Sequence, residues 1–145
     1  MTQEQKELLL KDLCARLDTN LVCSIYRTDD EGVGYRDEIL HGYCKGDIWY
    51  EFYFREDCSI GIDNVSKIKP YLFPLSSMTE EQKNDCPIGE TNLNIIKDNL
   101  GCYGIIEIPW RLSFLFIDWC NKNHFDYRGL IPLGLAIDAT GLNIY

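Results

Sequence analysis

Residues 37–62 alternate short apolar segments with tight polar turns, and this pattern restricts the chain more than any other. Ile48, Tyr50, Phe52 and Phe54 alternate with Trp49, Glu51 and Tyr53, the two-residue period of a strand. Residues 37–44 and 48–54 flank Lys45-Gly46-Asp47, a hairpin signal. Residues 58–62 read as a further short strand after the Arg55-Glu56-Asp57 turn. Upstream, residues 21–27 are apolar and β-rich, and residues 28–34 read as a polar loop. Short strands joined by tight turns predict a small, strongly bent antiparallel sheet or a partial barrel. Aromatic side chains on both faces of 48–54 predict that both faces are partly covered.

Helical signals bracket the strands. Thr2 and Gln5 form a T-x-x-Q capping box, and Leu9, Leu10, Leu13, Cys14 and Leu17 follow at helical spacing. This predicts a helix over 3–17, stopped by Asp18-Thr19-Asn20. Met78-Thr79-Glu80-Glu81-Gln82-Lys83 nearly repeats the N-terminal hexapeptide. It is read as the same helix start used twice, kept short by Pro87 and Gly89. Between the two, Pro70 and Pro74 flank Tyr71-Leu72-Phe73, which should be extended and cross the sheet. Residues 84–102 are polar with scattered apolar positions, and residues 103–108 read as a strand. The last helix starts near Trp110, with Leu112, Leu115, Phe116, Trp119 and Cys120 on one broad apolar face. After Gly129 the apolar run 130–137 contains Pro132 and Gly134, which disfavours a central strand. A short edge strand at 135–138 is expected.

At 145 residues the chain is read as one domain, 1–145, large enough to remove roughly 70% of its unfolded surface from water. A hydrophobic fraction of 46% is that of a globular protein. No apolar run approaches the ~20 residues of a membrane span. The polar start has no signal-peptide character, so a cytoplasmic location is expected. Seven cysteines, odd in number and without a C-x-x-C pair, predict reduced and mostly buried thiols and no zinc site. The net charge of −9 disfavours duplex nucleic acid as a partner, since a basic surface supplies most of that affinity.

One stretch concentrates chemistry. Residues 119–131, Trp-Cys-Asn-Lys-Asn-His-Phe-Asp-Tyr-Arg-Gly-Leu-Ile, gather Trp, His, Asp, Tyr, Arg and Gly as no other segment does. Three blocks together resemble a family of small proteins of gut Bacteroidetes, their prophages and their phages. They are Lys-Asp-Leu-Cys-Ala-Arg-Leu at 11–17, the Lys-Pro-Tyr-Leu…Ser-Ser-Met-Thr-Glu-Glu segment at 69–81, and residues 119–136. The blocks cover under half of the chain, in the same order as in that family. No activity carries over from it. The resemblance implies an accessory role in the contest between phage and host.

His124, Asp126, Tyr127 and Arg128 are the candidate binding residues of this stretch, with Trp49 and Tyr53 as an aromatic contact surface on the hairpin. A His beside Asp118 and Asp126 has the groups for proton transfer. Against that, an Asp in a turn after a helix commonly bonds its own backbone, and an Arg commonly pairs with a nearby carboxylate. Gly129 most simply supplies a backbone angle that other residues resist. His41 sits in a strand pattern and reads as a half-exposed strand residue. Nucleophile elbows, P-loops and dinucleotide fingerprints are missing from the sequence. Two histidines without i, i+4 pairing give no metal site.

These readings predict an α+β fold, a bent antiparallel sheet or partial barrel with the first and last helices packed on it. The expected function is non-enzymatic binding of a host protein or a small nucleotide signal, whose phosphates would meet Arg27, Arg36, Arg55, Arg111 or Arg128. No cofactor is expected, and homo-oligomerisation remains open. The alternatives are a small hydrolase using His124 with Asp118 or Asp126, a structural or assembly protein, and an acidic DNA mimic.

Overall fold

The computed structural model describes residues 1–29, 32–45, 50–55, 58–89 and 110–145. Helix α1 (Gln3–Ala15) starts at the expected capping box. Gln5 N–H donates to Thr2 Oγ1 at 3.2 Å, and Thr2 N–H donates to Gln5 Oε1 at 2.9 Å. The helix stops two residues earlier than expected. Arg16 leaves helical geometry and its N–H turns to Leu13 O at 3.1 Å.

Strands β1 (Val22–Asp29) and β2 (Gly32–Ile39) form a hairpin in continuous register, from Val22 opposite Ile39 to Asp29 opposite Gly32. The polar loop expected over 28–34 is therefore mostly strand. Gly32 and Gly34 lower the strand propensity of the segment. Cross-strand contacts outweigh this: Tyr26 meets Tyr35 edge-on at 5.2 Å, and Arg27 pairs with Glu38 at 3.6 Å.

The single strand expected over 37–44 is divided. Leu40 N–H bonds Leu21 O at 2.8 Å, and His41 N–H bonds Tyr53 O at 2.8 Å, so the chain passes from one sheet to another between them. The second sheet comprises β3 (Gly42–Lys45), β4 (Tyr50–Arg55) and β5 (Cys58–Gly61) in that order, all antiparallel. A 3-10 segment (Ile62–Lys67) returns the chain to the first sheet as β6 (Ile68–Leu72).

β6 pairs antiparallel with β1 and parallel with β7 (Ile137–Asp138), giving the order β2-β1-β6-β7. The 69–73 segment is thus part of the sheet. Pro70 fits because β7 pairs only with Tyr71 and Leu72, leaving Pro70 with a strand neighbour on one side. The fold is α+β. The antiparallel expectation is corrected by the β6–β7 pairing, and the partial barrel by two sheets that do not close.

Leu9 and Leu13 of α1, Cys23 and Ile25 of β1, and Phe52 and Phe54 of β4 are fully buried in one core between the sheets. A second cluster lies beside it. Phe116 and Cys120 of α3 (Trp110–Lys122) meet Leu75, Met78, Cys86, Ile88 and Phe125. The second capping box, Thr79 with Gln82, starts α2 (Glu80–Asp85) here. Leu115, expected on the buried stripe, is 54% exposed. The packed face is narrower and follows Leu112, Phe116, Trp119 and Cys120.

Cys23, Cys86 and Cys120 are buried free thiols and Cys14 is exposed on α1. Burial pushes the Cys23 and Cys120 thiols up from their ordinary range. Among the described residues no helix is long and apolar enough to cross a membrane. The strand expected at 103–108 and most of the polar stretch at 84–102 lie outside the described residues.

Candidate functional site

α3 ends at Lys122 and His124 takes a left-handed backbone angle (φ 58°), which turns the chain back toward the first sheet. Phe73 N–H then donates to His124 O at 2.9 Å, and Asp126 N–H donates to Phe73 O at 2.8 Å. This bridge holds Phe125 parallel to the end of β6. Asp126 is buried and accepts twice, from Leu130 N–H and Ile131 N–H, each at 2.8 Å. Burial pushes its carboxyl up from the ordinary range, with the two N–H donors opposing. Gly129 (φ 73°) makes the tight return between these bonds feasible.

Arg16 is fully buried beneath this turn and uses all five of its donor N–H groups. Nε and Nη2 clasp Asp12 at 2.8 and 3.2 Å. Nη2 also donates to Phe125 O at 2.8 Å, and Nη1 reaches Cys120 O and Asn121 O at 3.3 and 3.4 Å. The last two acceptors belong to the final turn of α3, and each also accepts a backbone N–H, from Phe125 at 2.9 Å and from His124 at 3.3 Å. One arginine, just past the end of α1, therefore reaches the C-terminal end of α3. Residues of all three motif blocks meet here: Asp12 and Arg16 from 11–17, Phe73 from 69–81, and Cys120 to Arg128 from 119–136.

Arg128 sits on the outer side of the same carboxylate. Its Nε lies 3.3 Å from Asp12 Oδ1, an ion pair whose N–H is not aligned as a hydrogen bond. Its guanidinium lies over the Tyr127 ring at 4.7 Å, and Arg16 approaches the same ring at 5.5 Å. The Arg128 side chain is 26% exposed, and among the described residues its two Nη groups have no hydrogen-bond partner. Tyr127 OH and Asn121 Oδ1 are buried beside it.

The expected site is thus partly assembled. His124, Asp126, Tyr127 and Arg128 do come together, but Asp126 and His124 face inward. The His124 ring stacks on Tyr145 at 3.9 Å, and burial, helped by the Arg16 charge, lowers its pKa to about 4. Asp118 is exposed on α3 and has no bond to His124. The carboxylate partner of Arg128 comes from α1 and not from its own turn. Tyr53 is half-buried on β4 of the other sheet, where its hydroxyl donates to Glu51 at 3.4 Å. Trp49 lies outside the described residues. Among the described residues no cluster of His, Cys, Asp or Glu could hold a metal.

Asp12 and Arg16 were not singled out from the sequence. The signal was present: a charged i, i+4 pair on the same helical face as Leu9 and Leu13 marks a carboxylate and an arginine bound for the interior.

No family model, curated protein or solved structure matches the chain.

Proposed function

We propose that the protein acts by binding, without catalysis, as a cytoplasmic accessory factor in the contest between a phage and its host. The phage association rests on the resemblance of the three sequence blocks. The binding mode rests on one observation. Arg128 is held from below by Asp12 and from the side by the Tyr127 ring, while its Nη groups remain open toward solvent. A guanidinium fixed in this way has already lost much of its side-chain freedom, so an incoming anion costs less to order. Its planar fork suits a phosphate or a carboxylate in two parallel hydrogen bonds. The ligand is therefore the phosphate of a small nucleotide signal or a carboxylate on a host protein. Catalysis by His124 has little support, because the ring is neutral and stacked, and both oxygens of Asp126 already accept backbone N–H groups.

Calorimetric titration with mono-, di- and cyclic nucleotides and with an acidic peptide tests this reading. The expected result is one binding class, weakened at least about tenfold by Arg128→Lys, which keeps the charge and removes the fork. Melting temperature should change little in that variant. The reading fails if no phosphate or carboxylate ligand binds, or if Arg128→Lys binds as the native protein does.

A further inference from the structure

We infer that the outer face of the β1–β2 hairpin docks a segment of a partner protein, holding one arginine of that segment between the Tyr26 and Tyr35 rings and the Asp37 carboxylate. Residues two apart on a strand share a face, and so do residues directly paired across strands. Cys23 and Ile25 of β1 are fully buried in the core. The opposite face therefore carries Val22, Ser24, Tyr26 and Thr28, paired with Ile39, Asp37, Tyr35 and Val33. Arg27, Arg36 and Glu38 lie on the core side of the sheet and take no part. On the outer face Val33 is 70% exposed and Tyr35 68%, and Asp37 is exposed beyond them.

The centre of this face has the groups that recognise a cation. The Tyr26 and Tyr35 ring centroids are 5.2 Å apart and their planes are inclined at 63°. Two inclined rings make a corner, and the negative face of each attracts positive charge. Asp37 is the next outward residue after Tyr35, about 7 Å along the strand. Its Oδ1 accepts the Tyr71 hydroxyl at 2.9 Å, which fixes the carboxylate from β6. Among the described residues Asp37 forms no ion pair, and Oδ2 has no hydrogen-bond partner. The cation nearest by register on this face is Lys69, opposite Ser24 and two strand spacings away, about 9–10 Å. An arginine suits the vacancy better than an ammonium, because its plane stacks on a ring while its edge forks onto a carboxylate.

The flanks point to a protein and not to a small amine. Val33 and Ile39 lie at the two ends of the row, about 20 Å apart. A small amine would fill only the middle and leave both apolar ends in water. An extended segment with one arginine and an apolar residue to either side covers all of it. The net charge of −9 favours the approach of a basic partner. The surface is separate from the Arg128 site, which takes an anion, and does not depend on it.

The test is a nuclear magnetic resonance titration of the isotope-labelled chain with a short peptide, up to about 1 mM. The peptide carries one central arginine, a leucine toward each end, and serine and glycine elsewhere. A control peptide has citrulline, neutral and of the same shape, in place of arginine. Salt is set near 0.15 M, where the Debye length of about 8 Å screens the diffuse attraction of the −9 charge. The arginine peptide should bind saturably and shift the amides of Tyr26, Tyr35 and Asp37 most. The citrulline peptide should bind at least about fivefold more weakly. Asp37→Asn keeps an acceptor for Tyr71 and loses the charge, and Tyr35→Leu keeps an apolar side chain and loses the ring. Each should weaken the arginine peptide to a similar degree, with circular dichroism and melting temperature close to those of the native chain. Absence of saturation, equal binding of the citrulline peptide, either variant binding as the native chain does, or shifts centred away from this face would each overturn the inference.

Discussion

His124 illustrates how one residue can be legible as important and illegible as to why. Its neighbours in sequence are charged and suggest proton transfer. Its neighbours in space are the Tyr145 ring and the buried Arg16, and burial, helped by the Arg16 charge, keeps the imidazole neutral. The folded pKa of about 4 lies below the ordinary 6.5. Between those values the unfolded chain binds a proton that the native state refuses. Stability from this group is therefore complete above pH 6.5 and falls as pH drops toward 4. The full shift would span about 3 kcal/mol, and residual solvent screening of the partly buried ring reduces this to about 1–2 kcal/mol. Asp126 acts in the opposite sense, because its raised pKa favours the protonated native state as carboxylates begin to titrate. Denaturant titrations at pH 7 and pH 5, run on the native chain and on a variant without the imidazole, isolate the histidine, because Asp126 is common to both. His124→Asn tolerates the left-handed backbone and removes the titrating ring. The variant should lose less stability between pH 7 and pH 5 than the native chain. Equal losses would place the pH dependence elsewhere.

At the scale of elements, local signals located most of the structure. Both capping boxes mark real helix starts, and the 3.6-residue stripe placed α3 within the right residues. The failures arise where local pattern and partner disagree. The 28–34 segment reads as a loop because its glycines disfavour strands, yet β1 lies beside it to form a ladder. The 37–44 segment reads as one strand, yet its two ends belong to different sheets, and no periodicity records that transfer at Leu40 and His41. The α3 stripe reads five residues wide because sequence counts apolar positions and not the partner surface available to cover them. Leu115 is left outside, whereas Trp119 stacks on Phe125 at 5.3 Å and its indole N–H donates to Asp85 at 3.0 Å. Two truncations on one helix should then differ sharply. Trp119→Ala should cost about 2–4 kcal/mol through lost aromatic packing and the lost bond to α2. Leu115→Ala should stay within about 0.5 kcal/mol, as exposed substitutions usually do. Equilibrium denaturation of both variants decides the point, and similar losses would mean that α3 is rotated relative to the second cluster.

Among the described residues the molecule holds two hydrophobic clusters, joined by the Arg16 node and the bridge between Phe73 and Phe125. The larger cluster holds α1 and the facing sheets. The smaller, around Leu75, Met78, Phe116 and Cys120, has seven buried side chains among the described residues, few for a core that stands alone. Its persistence depends on what ties it to the larger cluster. Arg16 is the main tie, because its guanidinium bonds Asp12 on α1, two carbonyls at the end of α3 and Phe125 O in the turn beyond it. Removing it leaves Asp12 buried with only Arg128 to offset its charge, while those carbonyls keep only the backbone N–H groups of Phe125, His124 and Tyr127. Loss of one partner from a buried ion pair costs about 3–5 kcal/mol. That cost should not spread evenly. In Arg16→Met, which keeps the length of the side chain, α2 and α3 should open below the global unfolding energy. β1 and β6, paired through Cys23 and Ile25, should remain closed until the whole chain unfolds. Native-state hydrogen exchange measures this directly. Amides of Glu80–Asp85 and Trp110–Lys122 should lose protection well before those of Val22–Asp29, whereas in the native protein both sets should approach the same limit. Uniform loss across both regions would show that the molecule is one cooperative unit, with Arg16 strengthening it throughout instead of fastening one part to the other.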